Sequence, residues 1–363
     1  MMTDILIIGG GVSGLLTARE LVAADAKITL VEMGDTGREA SWAGGGILSP
    51  LYPWRYSNAV NALAHWSQDV YPELCCALHQ ETRISPELTT SGLLVLDEEQ
   101  RDVALAWAEQ QGRVIEVQDQ AWLEQTEPSL ELAVDEVLWM PRVAQIRNPR
   151  LTQALRQSIQ RRVRIHENEK VIDLIIENGK FQGARTTKRK IKADCAIVCT
   201  GAWTAQLLEA IGETPKIRPV RGQMMLFSAA PGQIQHLTLY RERYIIPRQD
   251  GRVLIGSTLE EAGFDKSTTA EAKEELYQMA VELYPLLRRT PIEDHWAGLR
   301  PGSPSGIPYI CTYPTVEGLY LNAGHFRNGL VTGPASARLI ADLVLQRPPT
   351  LSPEPYRLEA KRD

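Results

Sequence analysis

The sequence predicts an α/β fold, α+β overall: one unit built on a parallel sheet and a second, β-rich unit. Residues 4–9 (DILIIG) form an unbroken apolar run, as a strand buried on both faces requires. After a run of glycines, Val12, Leu15, Leu16, Ala18 and Leu21 recur at helical period. Residues 27–32 (KITLVE) read as a second strand ending on an acid. Strand, tight turn, helix and strand inside about 30 residues make a βαβ unit, whose two strands run parallel.

The remaining elements follow in order. Residues 34–58, rich in Gly, Ser and Pro, read as loop. Helices are predicted over 58–81 and 98–111, with a strand at 91–96 between them, whereas 112–148 shows no clear pattern. Residues 151–162 are an amphipathic helix, and 163–203 read as several strands. The segments 216–228 and 243–261, with a helix near 270–288, suggest a separate β-rich layer. The chain returns to a strand at 318–324 and a helix starting near Asn328. The expected nucleotide unit is therefore discontinuous (1–80, 141–215 and 301–363), and the substrate unit fills 81–140 and 216–300.

Composition narrows the function. With 44% hydrophobic residues in 363, the chain has enough apolar material for packed cores. A net charge of −6 repels phosphate backbones, so no nucleic-acid partner is expected. Five cysteines, an odd number in a long chain, do not make a disulfide scaffold, and a reducing, cytoplasmic setting is expected. The start MMTDILIIGGG carries an acid where a signal peptide carries Lys or Arg, and no uncharged run of about 20 apolar residues calls for a membrane.

Gly9, Gly11 and Gly14 match G-x-G-x-x-G between a strand and a helix. Gly9 permits the tight turn, Gly11 lets a pyrophosphate approach, and Gly14 lets helix and strand pack closely. The helix N-terminus faces the anion. Glu32, 18 residues beyond Gly14, is placed to accept hydrogen bonds from a ribose diol. These features predict a dinucleotide site without choosing between NAD and FAD. A second strand, ADCAIVC, runs into Thr200-Gly201-Ala202-Trp203, a turn that flavoproteins place beside the pyrophosphate. Gly324-His325-Phe326-Arg327-Asn328-Gly329 precedes the last helix and would aim N–H groups and a helix dipole at negative charge. The six histidines lack H-x-x-x-H or H-E-x-x-H spacing, so no metal site is expected. Cys75-Cys76, Cys195 and Cys199 read as packing residues.

The motifs IIGGGVSG with Glu32, SWAGGGIL, TGAW, RYIIPRQDGRVLIGST, WAGLRPGSPSGIPYI and GHFRNG occur together over nearly the whole chain. In this order they resemble the FAD-dependent D-amino-acid oxidase superfamily and, within it, the glycine oxidases of thiamin biosynthesis. The resemblance implies a Rossmann-type FAD-binding domain and FAD contacts at Val12, Ser13, Glu32, Met33, Ala40, Ser41, Gly45, Gly46, Ile47 and Val171. It extends them to His325, Phe326, Arg327, Asn328, Gly329, Leu330 and Val331. FAD would be non-covalent, because the cysteine to which related sarcosine oxidases attach flavin is missing around Gly298–Pro301. Substrate contacts carry over to Tyr244, Arg300 and Arg327, with Arg300 offering a planar fork to a carboxylate. No catalytic acid or base is expected, since the substrate would pass a hydride directly to the flavin. The implied reaction converts glycine, or another small amine such as sarcosine or a small D-amino acid, to the imine or 2-oxo acid, ammonia and hydrogen peroxide. Molecular oxygen is the second substrate and a homo-oligomer the expected state. A D-amino-acid dehydrogenase or a sarcosine or D-proline oxidase of the same superfamily, and a flavin-binding protein without turnover, are the alternatives. Ile47 and Leu259, expected in the pocket, stand where methionine can occur in glycine oxidases.

Overall fold

A computed structural model describes residues 4–362, so Met1–Thr3 and Asp363 of the expected nucleotide unit lie outside the described residues. The first sheet has six strands, in the order Tyr309–Thr312, Leu319–Ala323, Cys195–Val198, Asp4–Ile8, Lys27–Val31 and Val163–His166. All neighbours pair parallel except the edge strand Tyr309–Thr312, which is antiparallel. The apolar run at its centre is buried on both faces by different layers. Ile5 and Ile7 pack with helices Val12–Val22, Asn58–Thr82, Asn148–Ile159 and Gly333–Val344, while Leu6 and Ile8 pack on the other side. There they meet a three-stranded antiparallel sheet of Val171–Glu177, Lys180–Thr186 and Lys190–Lys192. The period of two along a strand explains why both faces demanded apolar residues.

The second sheet has eight strands, in the order Ile292–Gly302, Arg218–Ser228, Arg252–Gly256, Arg243–Pro247, Leu237–Tyr240, Leu93–Val95, Glu136–Met140 and Glu116–Asp119. Its alternation divides the faces again. Met225, Phe227, Ile245 and Ile255 pack under helix Ala270–Leu283, whereas Met224, Tyr244, Ile246 and Leu254 join Ile47, Leu51 and Tyr52 on the opposite face. The two longest strands pair antiparallel and set Gly222 beside Gly298 and Val220 beside Arg300.

Several boundaries differ from the sequence expectation. The unassigned stretch 112–148 holds strands Glu116–Asp119 and Glu136–Met140 and helix Gln120–Thr126, each too short for its period to stand out. The loop at 34–58 contains a helical turn at Ala40–Ala43. The helix near 270–288 ends at Leu283, and Pro285 opens a separate 3₁₀ turn. The last helix starts at Gly333, not near Asn328. Phe326 adopts a left-handed φ of 48° that a helix does not accommodate, and Pro334 takes the first turn, where its missing N–H costs nothing.

Candidate functional site

The first strand ends at Ile8, and the chain turns at Gly9 with φ +108° before the helix begins at Val12. A side chain at Gly9 would run into the carbonyl of Cys199 on the neighbouring strand, so position 9 needs glycine for space as well as for φ. A Cβ at Gly14 would overlap the Gly9 carbonyl oxygen. Gly14 therefore lets the helix close on the turn and stands behind the cleft wall. The Val12 N–H, in the first turn, donates to Ser41 Oγ at 2.8 Å, which ties the SWAGGGIL loop to the helix start.

Glu32 ends the second strand. Its Oε2 accepts the Gly10 N–H at 2.6 Å and its Oε1 the Gly34 N–H at 3.0 Å. Burial pushes its carboxyl pKa up, and the two backbone donors pull it back. The carboxylate is thereby fixed at the strand end with lone pairs left for a diol.

These residues line one cleft of about 350 Å³ between the two sheets, a size usual for ligand pockets. Of the sequence-predicted residues, Gly9, Gly11, Val12, Ser13, Glu32, Met33, Ala40, Ser41, Gly45, Gly46, Ile47, Val171 and Gly201 all line it. So do Tyr244, Arg300, His325, Phe326, Arg327, Gly329 and Leu330. Gly14, Asn328 and Val331 do not. Asn328 and Val331 are buried beneath the turn that Gly329 and Leu330 present. Leu259 is 52% exposed and off the lining: it lies between Thr258 and Glu260, whose backbones are bonded to Gln223 and Arg221, and its side chain faces solvent.

The expected helix dipole at 325–329 is replaced by a turn in which the N–H groups of Gly329, Leu330 and Val331 meet no protein acceptor among the described residues. His325 holds this turn from within. Its Nε2 lies 2.9 Å from Asn322 Oδ1 and its Nδ1 3.0 Å from Thr332 Oγ1. Burial pushes its pKa down to about 4, so the imidazole is neutral and donates from Nε2 to the amide oxygen, while the Thr332 hydroxyl donates to the Asn328 carbonyl at 2.9 Å.

Arg300 closes the other end. Its guanidinium is held by Ser257 Oγ and by the carbonyls of Arg221 and Thr258, and among the described residues no carboxylate pairs with it. Burial lowers its pKa, while the neighbouring Tyr244 hydroxyl raises it and Arg327 lowers it further. Tyr244 donates to Met224 Sδ at 3.3 Å. Arg327 reaches over from the turn, donating to the Glu242 carbonyl at 3.4 Å. A half-buried cation without a counter-ion favours the arrival of an anion.

Two residues outside the sequence assignment hold the loop at 40–47. Arg248 donates to the Gly45 carbonyl at 2.7 Å and to the Ile146 carbonyl at 3.1 Å, and Asn148 Nδ2 donates to the Gly44 carbonyl at 2.9 Å. Arg248 lies inside the RYIIPRQDG motif, which signals the segment but not the contact.

A glycine turn at a helix start, a fixed acid at the next strand end and free backbone donors facing the same cleft fit a flavin dinucleotide. Residues 4–343 match the sequence model of the family described as FAD dependent oxidoreductase (DAO). The chain is 47% identical over 358 residues to a glycine oxidase of Pseudomonas aeruginosa, covering 98% of each protein. It is 45% identical over 363 residues to a glycine oxidase of Pseudomonas putida, covering 99% and 100%. It is 31% identical over 364 residues to a bifunctional protein ThiO/ThiG of Trichormus variabilis, of which it spans 53%. The crystal structure of glycine oxidase from Geobacillus kaustophilus superposes with a TM-score of 0.93 at 27% identity, covering 99% of both chains. The parallel sheet, the glycine turn and these matches agree, and the chain belongs to the DAO family of FAD-dependent oxidoreductases.

Proposed function

We propose that this protein is an FAD-dependent glycine oxidase, acting on glycine and other small amines and releasing the imine or 2-oxo acid, ammonia and hydrogen peroxide. One observation carries the substrate reading: a half-buried guanidinium without a carboxylate partner among the described residues opens into the cleft that also holds the glycine turn. Gly9, Gly11, Val12, Ser13, Glu32, Met33, Ala40, Ser41, Gly45, Gly46, Ile47, Val171, Gly201, His325, Phe326, Arg327, Gly329 and Leu330 would hold FAD, with Gly14, Asn328 and Val331 supporting them from behind the cleft wall. Bound flavin supplies the two-electron acceptor, and molecular oxygen takes the electrons onward. Arg300 binds the substrate carboxylate through two parallel N–H donors, and Tyr244 and Arg327 flank it. No side chain has to remove the Cα proton, so positioning is the protein's chief contribution. Residues 1–80, 141–215 and 301–363 form the cofactor unit, with 81–140 and 216–300 as the substrate unit.

The relatives named ThiO support a role in supplying the imine of glycine for the thiazole of thiamin. A homo-oligomer and a cytoplasmic setting belong to the same reading. Among the described residues no helix is long and apolar enough to cross a membrane. Glycine added to the holoprotein without air should bleach the visible flavin band, and Arg300→Ala should need at least about tenfold more glycine. Equal bleaching in the two proteins would sink the clamp.

A further inference from the structure

A guanidinium carries five N–H donors. In Arg300, Nη1 donates to the carbonyls of Arg221 (3.3 Å) and Thr258 (3.2 Å), and Nη2 donates to Ser257 Oγ (2.6 Å). Among the described residues Nε makes no hydrogen bond of its own, Nη2 makes that single one, and the Tyr244 hydroxyl stands alongside the guanidinium. Nε and Nη2 share one edge of the fork, and the spacing of the donors along that edge matches the two oxygens of a carboxylate. A guanidinium can turn about its stem, so something must choose which edge faces the cleft.

We propose that Ser257 is the positioning residue of the substrate site: its hydroxyl fixes the rotation of Arg300 and turns the Nε/Nη2 edge toward the carboxylate. Ser257 is 2% exposed and makes the shortest of the three contacts. It is also the only side chain among them, since the other two acceptors are main-chain carbonyls. The segment bearing Ser257 is itself pinned. Arg221 Nε and Nη2 donate to Glu260 Oε2 at 3.0 and 2.5 Å, and Nη1 donates to Asp265 Oδ2 at 2.7 Å. Glu260 Oε1 in turn accepts from Gln223 Nε2 at 2.9 Å and from the Thr258 hydroxyl. The Arg221 and Glu260 backbones exchange hydrogen bonds of 2.9 and 3.0 Å. Ser257 thus stands at the root of a braced loop, able to hold a neighbour still.

This inference rests on the carboxylate clamp proposed above, and the experiment separates the two. Glycolate, which has the carboxylate but no amine, is titrated into the holoprotein while the visible flavin spectrum is followed, and steady-state rates are measured with glycine. Ser257→Ala should raise the glycolate Kd and the glycine KM about tenfold, the loss of one hydrogen bond to a charged group. It should leave kcat within about twofold and FAD content unchanged, because binding in ground and transition states is lost alike. Ser257→Thr keeps the hydroxyl and should restore both constants. Should Ser257→Ala not fold, Ser257→Cys, a weaker acceptor, should show an intermediate loss. Wild-type constants in Ser257→Ala, or a Ser257→Thr variant as defective as Ser257→Ala, would overturn the proposal while leaving the clamp intact. Glycolate binding unchanged in Arg300→Ala would overturn the clamp, and this inference with it.

Discussion

The guanidinium of Arg300 occupies the space in which a side chain at position 222 would begin: a Cβ on Gly222 would overlap Cζ, Nη1 and Nη2. The antiparallel register of the two long strands creates this contact by pairing Val220 with Arg300, two residues from Gly222's own partner Gly298. Gly222→Ala should therefore dislodge Arg300 without touching the dinucleotide end. The variant is expected to keep its FAD and to need at least about tenfold more glycine for anaerobic bleaching. Bleaching at the wild-type glycine concentration would show that the guanidinium has room to spare.

Gly14 and Gly201 test two different reasons for glycine. At Gly14 the obstacle is a buried carbonyl, whereas at Gly201 a Cβ meets nothing within 4 Å and only φ, at +54°, resists. Gly14→Ala should lower stability by roughly 1–3 kcal/mol, as overpacking does, and lose FAD during purification. Gly201→Ala should lose roughly 1–2 kcal/mol through the left-handed backbone, with no protein atom in the way of its methyl group. Thermal melts and the ratio of protein to flavin absorbance check both.

Glu32→Gln keeps the shape of the side chain but turns an amide NH₂ toward one of the two N–H groups that the carboxylate accepts. FAD affinity should fall about tenfold, with the expected readout a fluorescence titration of apoprotein. Undiminished affinity would place the ribose elsewhere.

His325 predicts a pH dependence whose sign is fixed. Its pKa falls from 6.5 to about 4 on burial. Between those values the unfolded imidazole takes up a proton that the native one refuses, so stability falls as the pH drops through that window. The contribution lost by pH 4 is about 3 kcal/mol. In urea unfolding at pH 7.5 and pH 5, His325→Gln should lose less stability on acidification than the wild type. Identical pH slopes would mean that the native imidazole protonates readily.

What the sequence determined alone was local. Strand, glycine turn, helix and acid lie within one βαβ unit, and their spacing leaves one geometry for Gly9, Gly14 and Glu32. The unbroken apolar run within residues 4–9 likewise foretold two covered faces, because side chains of a strand must point to both. Even the late start of the last helix was legible in Pro334, whose ring favours a first turn; the glycine motif ahead of it drew the boundary too early. The tertiary structure decided the rest. Nothing near Arg300 in sequence reveals that it lacks a carboxylate partner, since its neighbours come from residues 221 and 244 on other strands and from the loop at 257–258. Nor could the chain order show that Arg248 and Asn148 hold the loop at 44–45 while Leu259 turns away to solvent. Turns and periods are set by forces acting over a few bonds, whereas the burial and pairing of a charge depend on which distant strands the sheet register brings alongside it.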